Sequence, residues 1–311
     1  MLSALAAVGA LVVLVAGCAG DSGGSGEEQH TLGIVQFSGT DVTVNAVVTA
    51  AREAAEAEGW DVNTIDAQGA TDKANAAIQN LVTAEVDAIL VTVFSTDSLT
   101  TGLRAASDAG IPVVTHGGGA GDGVAATFDV DAGADIADRL IEDLDGSGSL
   151  LALTYQAGLP CLQRQSALEK ALEGTDIEVT YQEIDVTQAT NSGFTATTAW
   201  LANNASGPRA IWGCYDDPAL GAISALKQQG VAAGDVFVYG FNNAPDAQAA
   251  IEDGFMTASA YFDSAKAGEE EFAAAVALAN GEDVATANQV PSEIIDSATI
   301  AGWKSSHPDG F

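Results

Sequence analysis

Three polar residues that follow apolar strands offer the most chemistry in this sequence: Tyr215, Asp216 and Asn242. Tyr215 and Asp216 leave the apolar run 210–214 and lead into Asp217-Pro218, and Asn242 leaves the run 236–240 through Phe241. A phenol, a carboxyl and an amide can together donate to and accept from a polar small molecule. The adjacent carboxyls Asp216 and Asp217 would also suit the acid–base work of glycosidases, where two such groups flank the scissile bond. Asp217 before Pro218 is more simply a helix cap, with proline at the first helical position. Histidines are confined to His30, His116 and His307, so a metal cluster or a nucleophilic triad lacks parts.

The elements that must position these groups read as strand, polar turn and capped helix, repeated. Strands are expected at 31–37, 61–66, 87–93, 112–115 and 125–130, with helices at 47–59, 71–85, 99–110 and 132–144 between and after them. The pattern restarts after Asp145-Gly146-Ser147-Gly148, with strands at 149–155, 177–184, 210–214 and 236–240 and helices at 164–173 and 194–203. Further helices are expected after Asp217 and near Pro245. Such alternation predicts parallel sheets with crossover helices, and open sheets of that kind bind ligands beyond the carboxyl ends of their strands. The last segment, with a strand at 258–262, a helix at 265–280 and a strand at 289–295, is too short for a third lobe. It is expected to return across both lobes and form part of a hinge.

A chain of 311 residues has room for two lobes. Acidic residues outnumber basic ones 43 to 10, a formal charge of −33, which repels nucleic acid and anionic lipid. Solubility, with salt adaptation, accounts for the acidity, and a hydrophobic content of 47% argues against disorder.

Residues 2–16 form an apolar run of about 15 residues, shorter than the roughly 20 needed to span a bilayer and suited to a secretory signal. It ends in Val15-Ala16-Gly17-Cys18, which looks like a lipobox, where cleavage leaves Cys18 to be lipidated. No Lys or Arg precedes the run, so either translation starts further upstream or the signal is weak; the alternative is a buried or membrane helix with an incidental cysteine. Residues 21–29 (DSGGSGEEQ) have the composition of a flexible tether. Cys161 and Cys214 match no zinc or redox spacing. In an oxidising compartment they can bridge at the cleft edge, and two unpaired buried thiols are the other reading.

Five stretches, VDAILVTVFSTDSL at 86–99, AGIPVVT at 109–115, RQSALEKAL at 164–172, YDDPALGAISAL at 215–226 and VYGFNNAPDAQAAI at 238–251, carry a family resemblance. In this order and behind a lipobox, the chain resembles the periplasmic binding proteins type I, ribose/galactose type, the substrate-binding subunits of ABC importers. The resemblance implies an α/β fold of two doubly wound Rossmann-like lobes with parallel central sheets and a three-segment hinge. It divides the chain into a signal at 1–17, a tether at 18–30, a first lobe at 31–131 plus 263–292 and a second at 132–262 plus 293–311. It implies a monomeric, extracytoplasmic, lipid-anchored binding protein rather than an enzyme, without cofactor, metal or nucleic acid, whose partners are a small ligand and a permease. A sensory protein for a membrane receptor is the alternative, and a carbohydrate-active lipoprotein enzyme a more distant one.

Position by position, the family's arginine on the second lobe's first helix matches Arg164, which can donate paired hydrogen bonds to vicinal hydroxyls or a carboxylate; a surface salt bridge is the plainer reading. The polar residue after Gly-Phe matches Asn242, and Tyr215 stands where the family often has asparagine. Thr92 matches the position after Leu90-Val91, and the loop after the first strand turns Phe37 and Asp41 to the cleft. The departures are equally specific. The family's sugar-stacking aromatic pair falls on Thr43 and Val44, and its Asp-Arg pair after the fourth strand falls on Gly117-Gly118. Stacking would then come from Phe37, Tyr215, Phe262 or Trp212, and His116 either replaces part of the missing polar pair or is structural. Ribose is not the expected ligand; another sugar or a polyol is.

Overall fold

The computed structural model describes residues 29–130 and 133–308. The apolar run, Cys18 and the 131/132 division lie outside the described residues. The chain begins β1 (Thr31–Gln36), α1 (Val42–Ala57), β2 (Asp61–Asp66), α2 (Thr71–Thr83), β3 (Ala88–Thr92), α3 (Thr100–Ala109), β4 (Val113–His116), β5 (Ala126–Val130). It continues α4 (Gly133–Asp143), β6 (Ser147–Thr154), α5 (Leu159–Ala171), β7 (Asp176–Glu183), α6 (Ala189–Leu201), β8 (Arg209–Gly213), α7 (Asp216–Gln228), β9 (Phe237–Phe241), α8 (Pro245–Glu252), β10 (Ala258–Phe262). It closes α9 (Ser264–Ala279), β11 (Ala287–Val290), β12 (Ser292–Asp296), α10 (Ile300–Ser306).

These elements build two lobes around two six-stranded sheets, ordered β11-β5-β4-β3-β1-β2 and β12-β10-β9-β8-β6-β7. Every pairing is parallel except β10 with β12. All five residues of β3 (AILVT) are buried, as a central parallel strand covered on both faces requires. The edge strand β2 (DVNTID) is mostly exposed. In each sheet the order reverses beside the first strand, between β1 and β3 and between β6 and β8. That reversal opens a crevice at the carboxyl ends of the strands, and the two crevices face each other.

The expected strand over 289–295 is two strands, because Pro291 has no N–H to continue a ladder. Before it, β11 runs parallel to β5 in the first sheet; after it, β12 runs antiparallel to β10 in the second. One short segment therefore stitches both lobes, and the chain passes between the sheets after β5, after β10 and at Pro291.

Four helix starts differ from the expectation; one is α6, which begins at Ala189 rather than 194. α1 begins at Val42 rather than 47, because the Asp41 carboxylate caps it by accepting from Val44 N at 2.9 Å. α5 begins at Leu159 rather than 164, led by Pro160 in the first turn, so Arg164 lies in the second turn. α7 begins at Asp216, with extended Tyr215 at the cap position and no side-chain cap bond. Asp217 is thus not the cap; it sits in the first turn, where the helix dipole favours an acid.

Cys161 on α5 and Cys214 after β8 are disulfide-bonded, with Cα atoms 5.1 Å apart. No helix among the described residues is long and apolar enough to cross a membrane.

Candidate functional site

A cavity of about 60 Å³ lies between the lobes at the carboxyl ends of both sheets. From the first lobe come Phe37 after β1, Asp41, Thr43 and Val44 at the start of α1, Val93 after β3, and His116-Gly117 at the end of β4. From the second come Tyr155 after β6, Pro160, Cys161 and Arg164 on α5, Tyr215 after β8, Asn242 after β9, and Phe262 ending β10. Phe37, Asp41, His116, Gly117, Arg164, Tyr215, Asn242 and Phe262 therefore line one cavity, from both of its sides.

Thr92 does not join them. It is fully buried behind the wall, and its hydroxyl accepts from Phe37 N at 2.9 Å, so it fixes the backbone that presents Phe37. Trp212 is also fully buried, packed edge-on against Phe241 at 5.8 Å, and offers no stacking face to the cavity. Gly118 stays outside the wall, its carbonyl accepting from Thr96 Oγ1 at 2.9 Å. Asp216 lies beneath the wall rather than in it. Its carboxyl oxygens accept from Ala244 N and Ser259 Oγ, each at 2.8 Å, and so shape the turn carrying Asn242. A Cβ on Gly240 would sit 2.2 Å from Asp216 Oδ1, so glycine there admits the carboxyl. The turn itself runs through positive φ, 100° at Asn242 and 52° at Asn243, a conformation asparagine tolerates better than most residues.

Arg164 is the centre of the second-lobe half. It is 6% exposed, lies over the Phe241 ring at 4.4 Å, and donates from Nη1 to the Cys214 carbonyl at 2.7 Å. Nη2 reaches Asn242 Oδ1 at 3.5 Å, and buried Nε has no hydrogen-bond partner among the described residues. Burial lowers its pKa to about 10, with the charges of Asp216 and Asp41 opposing, so it stays cationic at neutral pH. The same burial pushes the Tyr215 phenol well up, helped by Asp41 and Asp217, and keeps it a hydrogen-bond donor. Asp41 is raised by burial against the pull of the Val44 and Thr43 amides, Arg164 and His116.

In the first-lobe half, Phe37 packs on Phe94 at 4.9 Å and edge-on against Tyr155 of the other lobe at 5.7 Å. Tyr155 also donates from its hydroxyl to Gly69 O at 2.8 Å, a hydrogen bond that spans the lobes. His116 lies tilted by 31° against Phe262, ring centres 5.6 Å apart, and its Nδ1 is 2.6 Å from Glu271 Oε1. Sequence reading missed Glu271 and Tyr155. Glu271 was findable: Ala267, Gly268, Glu271, Phe272 and Ala275 share one helical face, so an acid there lies on the buried side of α9. Among the described residues no cluster of His, Cys, Asp and Glu could hold a metal ion.

Residues 34–283 match the family model for the periplasmic binding protein domain. A Rhizobium meliloti protein named for rhizopine binding is 28% identical over 263 residues, 79% of this chain and 83% of that one. The ribose import binding protein of Bacillus subtilis is 28% identical over 212 residues, 66% of this chain and 67% of its own. An ABC transporter solute-binding protein from Agrobacterium vitis, solved with allitol, superposes at a TM-score of 0.83 with 21% identity, covering 89% of this chain and 99% of that one. Two lobes facing across a cavity lined by aromatic side chains and a few polar ones, and a family match through most of both lobes, lead to one assignment: the chain belongs to the periplasmic binding protein family.

Proposed function

We propose that this chain is the solute-binding component of an ABC importer, held outside the cytoplasmic membrane by a lipid on Cys18. Its ligand is a small sugar or polyol, captured as the two lobes close by hinge rotation. The observation that carries this reading is Arg164: a buried cation at the cavity wall with an unpartnered Nε, beside Asn242 and flanked by aromatic faces. A buried guanidinium with spare donors is costly unless something accepts from it, and vicinal hydroxyls answer its planar fork. Phe37, Tyr215 and Phe262 supply apolar faces for the C–H side of a ring. The relatives named for rhizopine and ribose, and the allitol bound in a structural neighbour, favour the same ligand class. Thr43, Val44 and Gly117 change the first-lobe wall from the ribose-type pattern and direct the reading away from ribose.

Closure follows from ligand contacts to both lobes, which stabilise the closed form over the open one. The Tyr155–Gly69 bond is available to the closed form. A thermal-shift screen over pentoses, hexoses, polyols and nucleosides, followed by calorimetry, tests the ligand class. A ligand at about 100 times its Kd stabilises by about 2.7 kcal/mol. Failure of every sugar and polyol to stabilise the protein, or turnover of one of them, would refute the reading. Release of the protein from membranes by Cys18→Ala tests the anchor.

A further inference from the structure

The first lobe's wall contains one polar pair whose partner comes from far along the chain. His116 ends β4 and borders the cavity; Glu271 reaches it from α9. Their contact, Nδ1 to Oε1 at 2.6 Å, is made with the side chains 7% and 0% exposed. Phe262 packs beside the imidazole, tilted by 31° with ring centres 5.6 Å apart, so the ring has an aromatic neighbour as well as the partner at Nδ1. Nε2 lies on the ring edge away from Glu271 and has no hydrogen-bond partner among the described residues.

We infer that Glu271 is a positioning residue for ligand recognition: it orients His116 so that Nε2 faces the cleft, and the proton count of the pair decides whether that nitrogen offers a ligand hydroxyl a donor or an acceptor. The inference rests on the reading of the cleft as the binding site. A contact of 2.6 Å between nitrogen and oxygen requires a hydrogen between them. When the pair holds two protons, one occupies that position and the other sits on Nε2, which donates. When it holds one, Nε2 is bare and accepts. Among the described residues, the charged groups around His116 are Glu271 on α9, Asp129 on β5, Arg164 on α5 and Asp41 at the cap of α1. Burial lowers the imidazole, but Glu271 and Asp129 outweigh it, and the net direction is upward against Arg164. Glu271 is itself raised by burial against His116, with Glu270 and Asp129 adding to the rise. The protons belong to the pair rather than to either residue, and the second one is held above the pH where a free imidazole loses it.

The test uses Glu271→Gln, which keeps the volume and removes the charge. With three histidines in the chain, ring nitrogen shifts by NMR follow His116 without ligand. Calorimetry from pH 5 to pH 9 with allitol and myo-inositol as probes, about ten steps, reads affinity. The expected native result is a His116 titration above the ordinary imidazole value, with an inflection in affinity at the same pH. In Glu271→Gln the ring titration falls below the ordinary value, the inflection moves with it, and affinity at pH 7 drops about 3- to 10-fold. A ring titration and tautomer unchanged in the variant overturn the inference. So does a ring that shifts while affinity and its pH profile do not, since the pair is then only core. A native protein that binds neither probe and no member of the wider screen defeats the reading of the cleft, and this inference with it. If Glu271→Gln does not fold, His116→Gln replaces it: a weaker affinity with no inflection supports the inference, and an unchanged profile overturns it.

Discussion

Arg164 and Cys214 are tied together twice. The guanidinium Nη1 donates to the Cys214 carbonyl at 2.7 Å, and Cys214 is disulfide-bonded to Cys161, one helical turn before Arg164 on α5. Both links join the same two pieces of backbone, the start of α5 and the exit of β8. That exit also carries Tyr215 into the cavity. The second-lobe half of the site is therefore held as one block before any ligand arrives, which lowers the ordering cost of binding.

Arg164→Ala removes the buried cation and its spare donors. It is expected to weaken ligand binding by about 1.5–3 kcal/mol, the range for hydrogen bonds to charged groups. Arg164→Lys should recover little, because an ammonium lacks the planar fork. Calorimetry with the ligand found in the screen checks both; native affinity in Arg164→Ala would remove Arg164 from the site.

Loss of the disulfide should cost stability and affinity together. For a sequence separation of 53 residues, loop-closure entropy gives about 4 kcal/mol of stabilisation. Denaturant titration of Cys161→Ser/Cys214→Ser against the native chain reads the first effect. Ligand titration of the folded variant reads the second, expected as a weaker affinity that Arg164→Ala no longer worsens by its full amount.

Tyr155→Phe deletes the hydroxyl that donates to Gly69 O across the lobes at 2.8 Å. A neutral hydrogen bond of this kind contributes about 0.5–1.5 kcal/mol, so affinity should fall about 2- to 12-fold. Small-angle scattering at subsaturating ligand should show a larger open fraction. Equal affinity and an equal radius would mean the bond does not contribute to closure.

Stability should fall as pH rises from about 4 to about 8. Burial raises Asp216 from 3.8 to about 8 and Asp217 from 3.8 to about 7. Between those limits the folded chain holds protons that the unfolded chain has released, so raising pH favours unfolding. Asp216→Asn can still accept from Ala244 N and donate to Ser259 Oγ, and it should flatten the profile. Urea unfolding at a series of pH values checks this; a native profile that rises from pH 4 to 8 contradicts it.

Gly221→Ala should destabilise the second lobe. A Cβ there would stand 2.0 Å from Thr190 O on the neighbouring α6, so the helices must part. Overpacking of this sort costs about 1–3 kcal/mol, read as a lowered thermal midpoint.

The sequence by itself determined the alternation of strands and helices, the two successive α/β units and the polar residues at their strand ends. Those signals are local: apolar runs such as 88–92, glycine stops such as Gly110 and Gly230, and a period that any chain segment shows on its own. It also placed Tyr215 and Asn242 at carboxyl ends of parallel strands, where a sheet opens a crevice wherever its order reverses, whereas Arg164, on α5, was reached only through the family resemblance. Tertiary structure decided the rest. Thr92 and Asp216 sit at strand ends like their neighbours, yet each turns beneath the wall to satisfy a backbone amide, and no residue period distinguishes inward from cavity-facing at such a position. Pro291 divides one expected strand between two sheets because the partners on either side belong to different lobes. His116 and Glu271 meet across 155 residues of chain, and only the packing of α9 on the first lobe brings that carboxyl to that ring.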